Sequence, residues 1–306
     1  MNGVNATYDM TQEEKAFLEQ YDITRYERPS LATDISIFSI MKEGENSNFR
    51  KLEKRALKIL LIKRGSYPYK NAWALPGGFC RPDEDVHKTA HRELYEETNI
   101  KDVYLKPFGI FGEIGRDPRG WIISNAFLAL MDSKNYKLRA GTDVWEAKWF
   151  TVELDTKGLK KDEGENSIYV ETEYVLSFSN QEDETSFSAK VKEYKQFENY
   201  HETVRYEMLD NGNLAFDHGK IILQALLTLR KEVENDFRIA FDLMPELFTL
   251  TELQTAFEVI LDQELLKANF RRKIADYVVE TEKIIEGSGH RPAKLFKRNI
   301  AAFYKE

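Results

Sequence analysis

The chain has 306 residues, about twice the usual single-domain length, so two domains are expected, with a core large enough to need no covalent staples. Charged residues make up 31% and hydrophobic residues 42%, and no apolar stretch approaches the roughly 20 residues that span a bilayer, so a membrane protein is not expected. A net charge of −8 argues against a surface coated throughout with basic groups, the usual footprint of a nucleic-acid binder.

The start, MNGVNATYDMTQEEK, lacks a basic region followed by an apolar one, and the single cysteine, Cys80, cannot form an intramolecular disulfide. Both point to a reducing, cytoplasmic compartment. Thr11 and Glu14 form a capping box ahead of Ala16, Phe17 and Leu18, which predicts a short helix in an N-terminal arm, residues 1–25. Strands follow at 34–41 and 56–63, then a turn around Pro76-Gly77-Gly78, a helix from about Asp85 to Thr98, and strands at 103–111, 122–131 and 146–150. One helix among several strands, without βαβ alternation, predicts an α+β domain with mixed sheets over 26–153.

Residues 154–213 read as a β-rich insertion. The stretches 168–178, 187–197 and 203–209 alternate as in a three-stranded meander with one wet face, and this hairpin either supports a dimer or covers a substrate. The spacing of Ile221, Ile222, Ala225, Leu226 and Leu229 predicts a closing helix within 214–233. In 234–306, Thr249 and Glu252 cap a helix that Phe248 staples onto Leu253; it runs to about Leu261, turns at Asp262-Gln263, and a second helix covers about 265–275. Strands at 278–285 and 293–297 complete the order of a winged helix-turn-helix. From 265 onward ten Lys or Arg face five acids, a net +5, whereas the preceding part holds 34 basic against 47 acidic residues, a net −13. Such asymmetry predicts different partners for the two ends.

The helix near residue 90 carries chemistry. At 100° per residue, Glu93, Glu96 and Glu97 share one face, while Ala90, Leu94 and Thr98 form a neighbouring stripe fit to pack on a sheet. Three like charges at this spacing repel, Arg92 offsets one of them, and a divalent cation would relieve the rest; hard oxygen donors favour Mg²⁺ or Mn²⁺. Taken alone, the three glutamates also fit a solvated acidic face.

Gly78, Glu84, Arg92, Glu93, Glu96 and Glu97 stand at the spacing of the Nudix box, and Trp73-Ala74-Leu75-Pro76-Gly77-Gly78 resembles the approach to it. The box's final glycine is Asn99 here, the next-best residue for a left-handed helix cap. The resemblance to Nudix hydrolases implies an α/β/α sandwich that hydrolyses a nucleoside diphosphate linked to another group. It implies Glu93 and Glu97 as main metal ligands, Glu96 assisting, the Gly78 carbonyl joining them, Arg92 orienting the glutamates and Glu84 supporting the loop. Glu113 and Glu146 are candidates for a general base outside the box. Arg116 and Arg119 either grip phosphate or ribose groups or sit as surface arginines of a polar loop. Cys80 reads as a packing residue.

Phe248–Gln254, Asn269–Ile274 and His290–Ala293 resemble the C-terminal winged helix of Nudix-related transcription regulators, in which the Nudix domain senses ADP-ribose or a related metabolite. Lys267, Asn269, Arg271, Arg272 and Lys273 crowd the expected recognition helix, with Asn suited to adenine, Arg to guanine and Lys to phosphate; His290 and Arg291 stand at the wing tip. The resemblance implies a homodimer on double-stranded DNA. Two readings follow: a Nudix hydrolase for an ADP-ribose-like compound with an attached DNA-binding module, or a metabolite-sensing regulator that binds the ligand without turnover. The intact glutamates favour the first and the basic tail favours DNA binding, and the two are compatible.

Overall fold

The structure, a computed structural model, describes residues 10–43, 54–101, 103–132, 144–164, 166–285 and 292–303. The arm helix α1 (Gln12–Gln20) starts at the expected capping box, in which Thr11 and Glu14 exchange side-chain-to-backbone hydrogen bonds. It buries no residue, and Phe17, Leu18 and Tyr21 face outward.

Strands β1 (Ser30–Lys42), β2 (Arg55–Arg64), β3 (Trp73–Ala74) and β4 (Gly77–Phe79) precede α2 (Val86–Thr98), and β5 (Tyr104–Phe111) and β6 (Ile122–Leu130) follow it. β1 pairs with β6 in parallel and with β2 and β4 antiparallel, so the sheet is mixed, as expected. The period-2 alternation divides each strand between two cores. Ile35 and Ile37 of β1, Leu60 of β2 and Phe127 and Ala129 of β6 pack with Ala90 and Leu94 of α2. Phe38 and Ile40, Leu57, Ile59 and Leu61, and Ala126 and Leu128 face the other way, onto α3 (His218–Asn235). Helix, sheet and helix are thus layered as a sandwich.

The border expected at 153/154 falls inside an element. β7 (Val144–Glu163) is one strand of 20 residues whose ladder with β2 continues into its ladder with β8 (Ser167–Asn180), which pairs with β9 (Thr185–Glu198) and then β10 (His201–Asp210). The meander therefore extends the main sheet, in the order β10-β9-β8-β7-β2-β1-β6-β5. The charged run 155–163, outside the stretches that alternate, is wetted on both faces while its backbone pairs with β8. Near the body, Leu176, Phe178, Ala189 and Val191 add to the core under α3.

A 3₁₀ turn, Phe237–Leu243, which the sequence pattern does not show, leads to α4 (Leu250–Leu261), α5 (Lys267–Ile274), β11 (Val278–Ile285), β12 (Ala293–Arg298) and the short α6 (Ile300–Phe303). Thr249 caps α4 with Glu252 in a reciprocal box, and Asp262 ends it in the left-handed conformation. The core continues across the expected 233/234 border: Leu226, Leu229 and Val233 of α3 belong to one cluster with Phe241, Phe248, Leu253, Phe257, Phe270 and Ile274. Arg55 of β2 pairs with Glu252 of α4 at 2.5 Å, tying the sheet to the winged helix. Among the described residues no helix is long and apolar enough to cross a membrane.

Candidate functional site

β4 runs antiparallel to β1, placing Gly77 opposite Asp34 and Gly78 opposite Thr33, at the foot of α2. Both glycines are required by close approach. At Gly77, with φ of +156°, a Cβ would meet the Thr33 carbonyl oxygen at 2.0 Å, and at Gly78 it would meet Glu93 Oε1 at 2.4 Å. Asp85 caps α2 by accepting from the Lys88 N–H, and Asn99 closes it with φ of 61° and ψ of 22°, the left-handed cap its residue type favours.

Arg92 binds more carboxylates than its charge suggests. Nε and Nη2 fork onto Glu84 at 2.7 and 2.9 Å, Nη1 donates to Glu93 at 2.6 Å and to Glu96 at 3.1 Å, and Nη2 also reaches the Phe79 carbonyl. Its charge offsets one of them, yet a guanidinium presents five donors in a planar fork and so reaches three glutamates. Its hydrogen bonds hold Glu84 down at about 2, fitting the supporting role expected of that residue. Glu97 lies deepest. Its Oε2 accepts from the Gly77 N–H at 2.8 Å, and burial, with the neighbouring charges of Glu93 and Asp34 adding, pushes its pKa up to about 8. Burial also raises Glu93, against the pull of Arg92.

Among the described residues no three acidic, imidazole or thiol side chains converge as a ready-made metal cluster. Glu93 and Glu96 turn toward Arg92, and Glu97 toward the Gly77 amide. The donor set still suits a hard cation, since burial raises the pKa of both Glu97 and Glu93 and the charge of Glu93 adds to the rise at Glu97.

Beside Glu97 a pocket of about 130 Å³ opens between β1, β4 and the N-terminus of α3. Arg116 and Arg119 both line it, with Glu97, Asp34 and His218. Arg116 is buried and forks onto Asp217 at 2.7 and 3.0 Å, whereas Arg119 is exposed and pairs with Asp117 at 2.6 Å while lying 5.0 Å from the Phe79 ring and 5.2 Å from that of Phe216. Glu113 and Glu146 lie outside this pocket, paired with Lys220 and with Lys63 and Lys148, so the structure supports neither as a base.

Several pocket residues escaped the sequence reading. Asp34 is a buried acid in an apolar strand, receiving Ser124 Oγ at 2.6 Å and facing Arg116 and His218. His218 accepts the Leu75 N–H on Nδ1, and burial holds it below the usual imidazole range. Arg64 stacks 4.8 Å from Phe216, has no carboxylate partner among the described residues, and is held below the usual guanidinium range by burial and by the charge of Arg119. Thr33 Oγ1 is buried there without a hydrogen-bond partner among the described residues. The available signal is polar residues breaking apolar runs, Asp34 in SLATDISIF and Asp217-His218 ahead of α3, but nothing in the sequence joins segments 80 to 180 residues apart.

In the C-terminal domain, Lys267, Asn269, Arg271, Arg272 and Lys273 are all exposed on α5, whose buried side is Phe270 and Ile274. At 100° per residue Arg272 lies opposite that side and Asn269 well away from it, Arg271 and Lys273 stand equally far off on its two flanks, Lys267 lies nearest it, and Lys273 sits 5.1 Å from the Phe237 ring. His290 and Arg291 lie outside the described residues.

A model of the NUDIX domain matches residues 50–172, and one of the NrtR DNA-binding winged helix domain matches 240–297. The ADPR responsive transcriptional repressor NtrR of Acinetobacter baylyi is 32% identical over 287 residues, covering 93% of this chain and 88% of that protein. An ADP-ribose pyrophosphatase of Methanocaldococcus jannaschii is 42% identical over 95 residues, 31% of this chain and 55% of its own length. Among solved structures, a MutT/nudix family protein from Enterococcus faecalis covers 95% of this chain and 100% of its own with a TM-score of 0.61 at 23% identity. Shewanella oneidensis NrtR complexed with a 27mer DNA covers 88% and 93% with a TM-score of 0.54, also at 23% identity. These two likenesses establish the α+β Nudix and winged-helix architecture.

Proposed function

The chain belongs to the family of Nudix-domain transcription regulators that carry an NrtR-type winged helix, and from that membership we propose that it is an ADP-ribose-responsive DNA-binding protein whose Nudix domain also hydrolyses the ligand. The observation that carries this reading is the meeting, in one pocket, of Glu97 with Arg64, Arg116 and Arg119. Acids short of counter-charge beside guanidinium groups suit a diphosphate that arrives with a divalent cation.

Glu93, Glu96 and Glu97, with the Gly78 carbonyl, would hold Mg²⁺ or Mn²⁺, which supplies polarisation of phosphate oxygens and activation of a water. The chain's own residues do the rest. Arg92 keeps Glu93 and Glu96 in place, the Gly77 amide fixes Glu97, and Arg64 meets phosphate oxygens with donors that no carboxylate occupies. Intact Glu93, Glu96 and Glu97 favour turnover over binding alone.

The division of labour follows the expected domains: 26–153 with the closing helix in 214–233 for the ligand, 234–306 for DNA. On α5, Arg271, Arg272 and Asn269 meet base edges, while Lys267, Lys273, His290 and Arg291 meet backbone phosphates. ADP-ribose titrated calorimetrically should bind the wild type, and Arg64→Ala should weaken it by about ten- to a hundredfold, the loss of a hydrogen bond to a charged group. Unchanged affinity in that variant sinks the role of Arg64; no heat with the wild type sinks the ligand itself.

The protein acts as a homodimer in this reading, which the outward Phe17 and Leu18 of α1 and Tyr21 at its C-cap support, because an aromatic face left in water gains by burial. Phe17→Ser/Tyr21→Ser should shift sedimentation toward monomer by about tenfold in dissociation constant. A sedimentation profile identical to wild type would exclude the arm from the interface.

A further inference from the structure

Asp217 occupies the N-cap position of α3 and does not cap it. Thr11, Asp85 and Thr249, at the same position of α1, α2 and α4, have extended backbones and accept a helix N–H on the side chain. Asp217 instead has φ of −99° and ψ of 24°, and both of its carboxylate oxygens accept from Arg116. Asp is among the residues that stabilise helix starts best, so the pocket holds this carboxylate away from a second partner. The preceding residue adds to the tension: Phe216, a bulky side chain, stands in the left-handed region with φ of 52°, where only the surrounding contacts keep it.

The pocket forces the choice between partners. Its lining side chains are already paired with one another, so a diphosphate that reaches Arg116 meets a guanidinium engaged by Asp217 and Asp34. Arg116 is the buried cation nearest to Asp217, and an anionic ligand competes for it directly.

α3 leads from this point to the other domain. Its 18 residues span about 27 Å. Near its far end Arg230 Nε donates to the Ile260 carbonyl at 3.0 Å and the guanidinium lies 3.5 Å from Asp262, the left-handed cap of α4. On the neighbouring turn of α4, Gln254 and Glu258 hold the Leu265 carbonyl and N–H, just ahead of α5.

We propose that Asp217 is a positioning residue that couples the pocket to the DNA-binding domain: a diphosphate ligand draws Arg116 away, the freed carboxylate caps α3, and the helix carries the change through Arg230 to the turn before α5. The exchange is discrete because capping needs ψ of residue 217 to swing from near 0° to the extended range seen at the other caps. The inference rests on the ADP-ribose reading of the pocket, and the test separates the two.

DNA affinity is measured with and without ADP-ribose for wild type, Asp217→Asn and Asp217→Ala, together with amide hydrogen exchange. Asn caps helices but does not hold Arg116 by charge, and Ala does neither. Ligand-free Asp217→Asn should show about fivefold slower exchange at 219–221, altered exchange at 262–266, and the DNA affinity of ligand-bound wild type. Asp217→Ala should bind ADP-ribose, yet show the same DNA affinity within about twofold whether ligand is present or absent. Wild-type coupling retained in Asp217→Ala, or unaltered exchange at 262–266 in Asp217→Asn, overturns the proposal. If ADP-ribose does not bind the wild type, the ligand reading fails, and the ligand-free comparison of Asp217→Asn with wild type still decides the coupling.

Discussion

Glu97→Gln should lower ADP-ribose hydrolysis in Mg²⁺ by at least about a thousandfold, roughly 4 kcal/mol of transition-state stabilisation, without lowering the melting temperature of the metal-free protein. The two halves of that expectation come from one observation. Without a cation, a carboxyl with a pKa of about 8 is mostly protonated at neutral pH, so a neutral amide of the same shape replaces it at little cost and still accepts the Gly77 N–H. Turnover asks for the opposite state, an anion among Glu93, Glu96 and a metal, which Gln cannot supply. Phosphate release after incubation with ADP-ribose is the measurement, and a variant that turns over at the wild-type rate would remove Glu97 from the chemistry.

The pH dependence follows with a definite sign. Glu97 has a folded-state pKa raised from 4.5 to about 8, so its contribution to stability is fully present below about pH 4.5 and is lost as pH rises toward 8. Metal-free protein should therefore lose stability across this window as far as Glu97 is concerned. A bound cation needs the carboxylate, so Mg²⁺ affinity should climb by up to about tenfold per pH unit from 5 to 8 and then level off. Glu97→Gln should flatten both trends in thermal melts and calorimetric titrations.

Arg271→Ala/Arg272→Ala should weaken binding to the region upstream of the protein's own gene by about 10²- to 10³-fold, since each guanidinium placed on a base edge is worth about 1–3 kcal/mol. Both side chains are exposed on α5, whose buried residues are Phe270 and Ile274, so their removal leaves the packing of α5 intact. The log–log salt slope should fall by about 1 for each contact that goes to phosphate instead of a base. A mobility-shift assay across a salt series reads both effects, and wild-type affinity in the double variant would take α5 out of the groove.

Much of this molecule is legible in one dimension because much of it is local. The capping boxes at Thr11 and Thr249, the left-handed Asn99 and the strands of the wing each depend on residues within a turn or two of one another, and they stand where the sequence places them. The spacing of Arg92, Glu93, Glu96 and Glu97 gathers the acids on one helix, and the structure keeps them together. Alternation does not mark the charged residues at the root of the meander, 155–163 of β7, as strand, although their backbone pairs with β8. Periodicity reports which faces are wet; it does not report pairing.

Sequence alone determined the two-domain order, the acidic face of one helix, and a basic end set against an acidic body, because helix caps, alternation and charge act over short spans of chain. Tertiary structure decided which cations the acids meet. Asp34, Arg64, Arg116 and the pair Phe216 and His218 come from four separate segments, and only the pairing of β1 with β4 and β6 and the docking of α3 on the sheet bring them to one pocket. The same docking decided that Asp217, by residue type a helix cap, serves Arg116 instead: a buried guanidinium needs a carboxylate more than a helix N-terminus does.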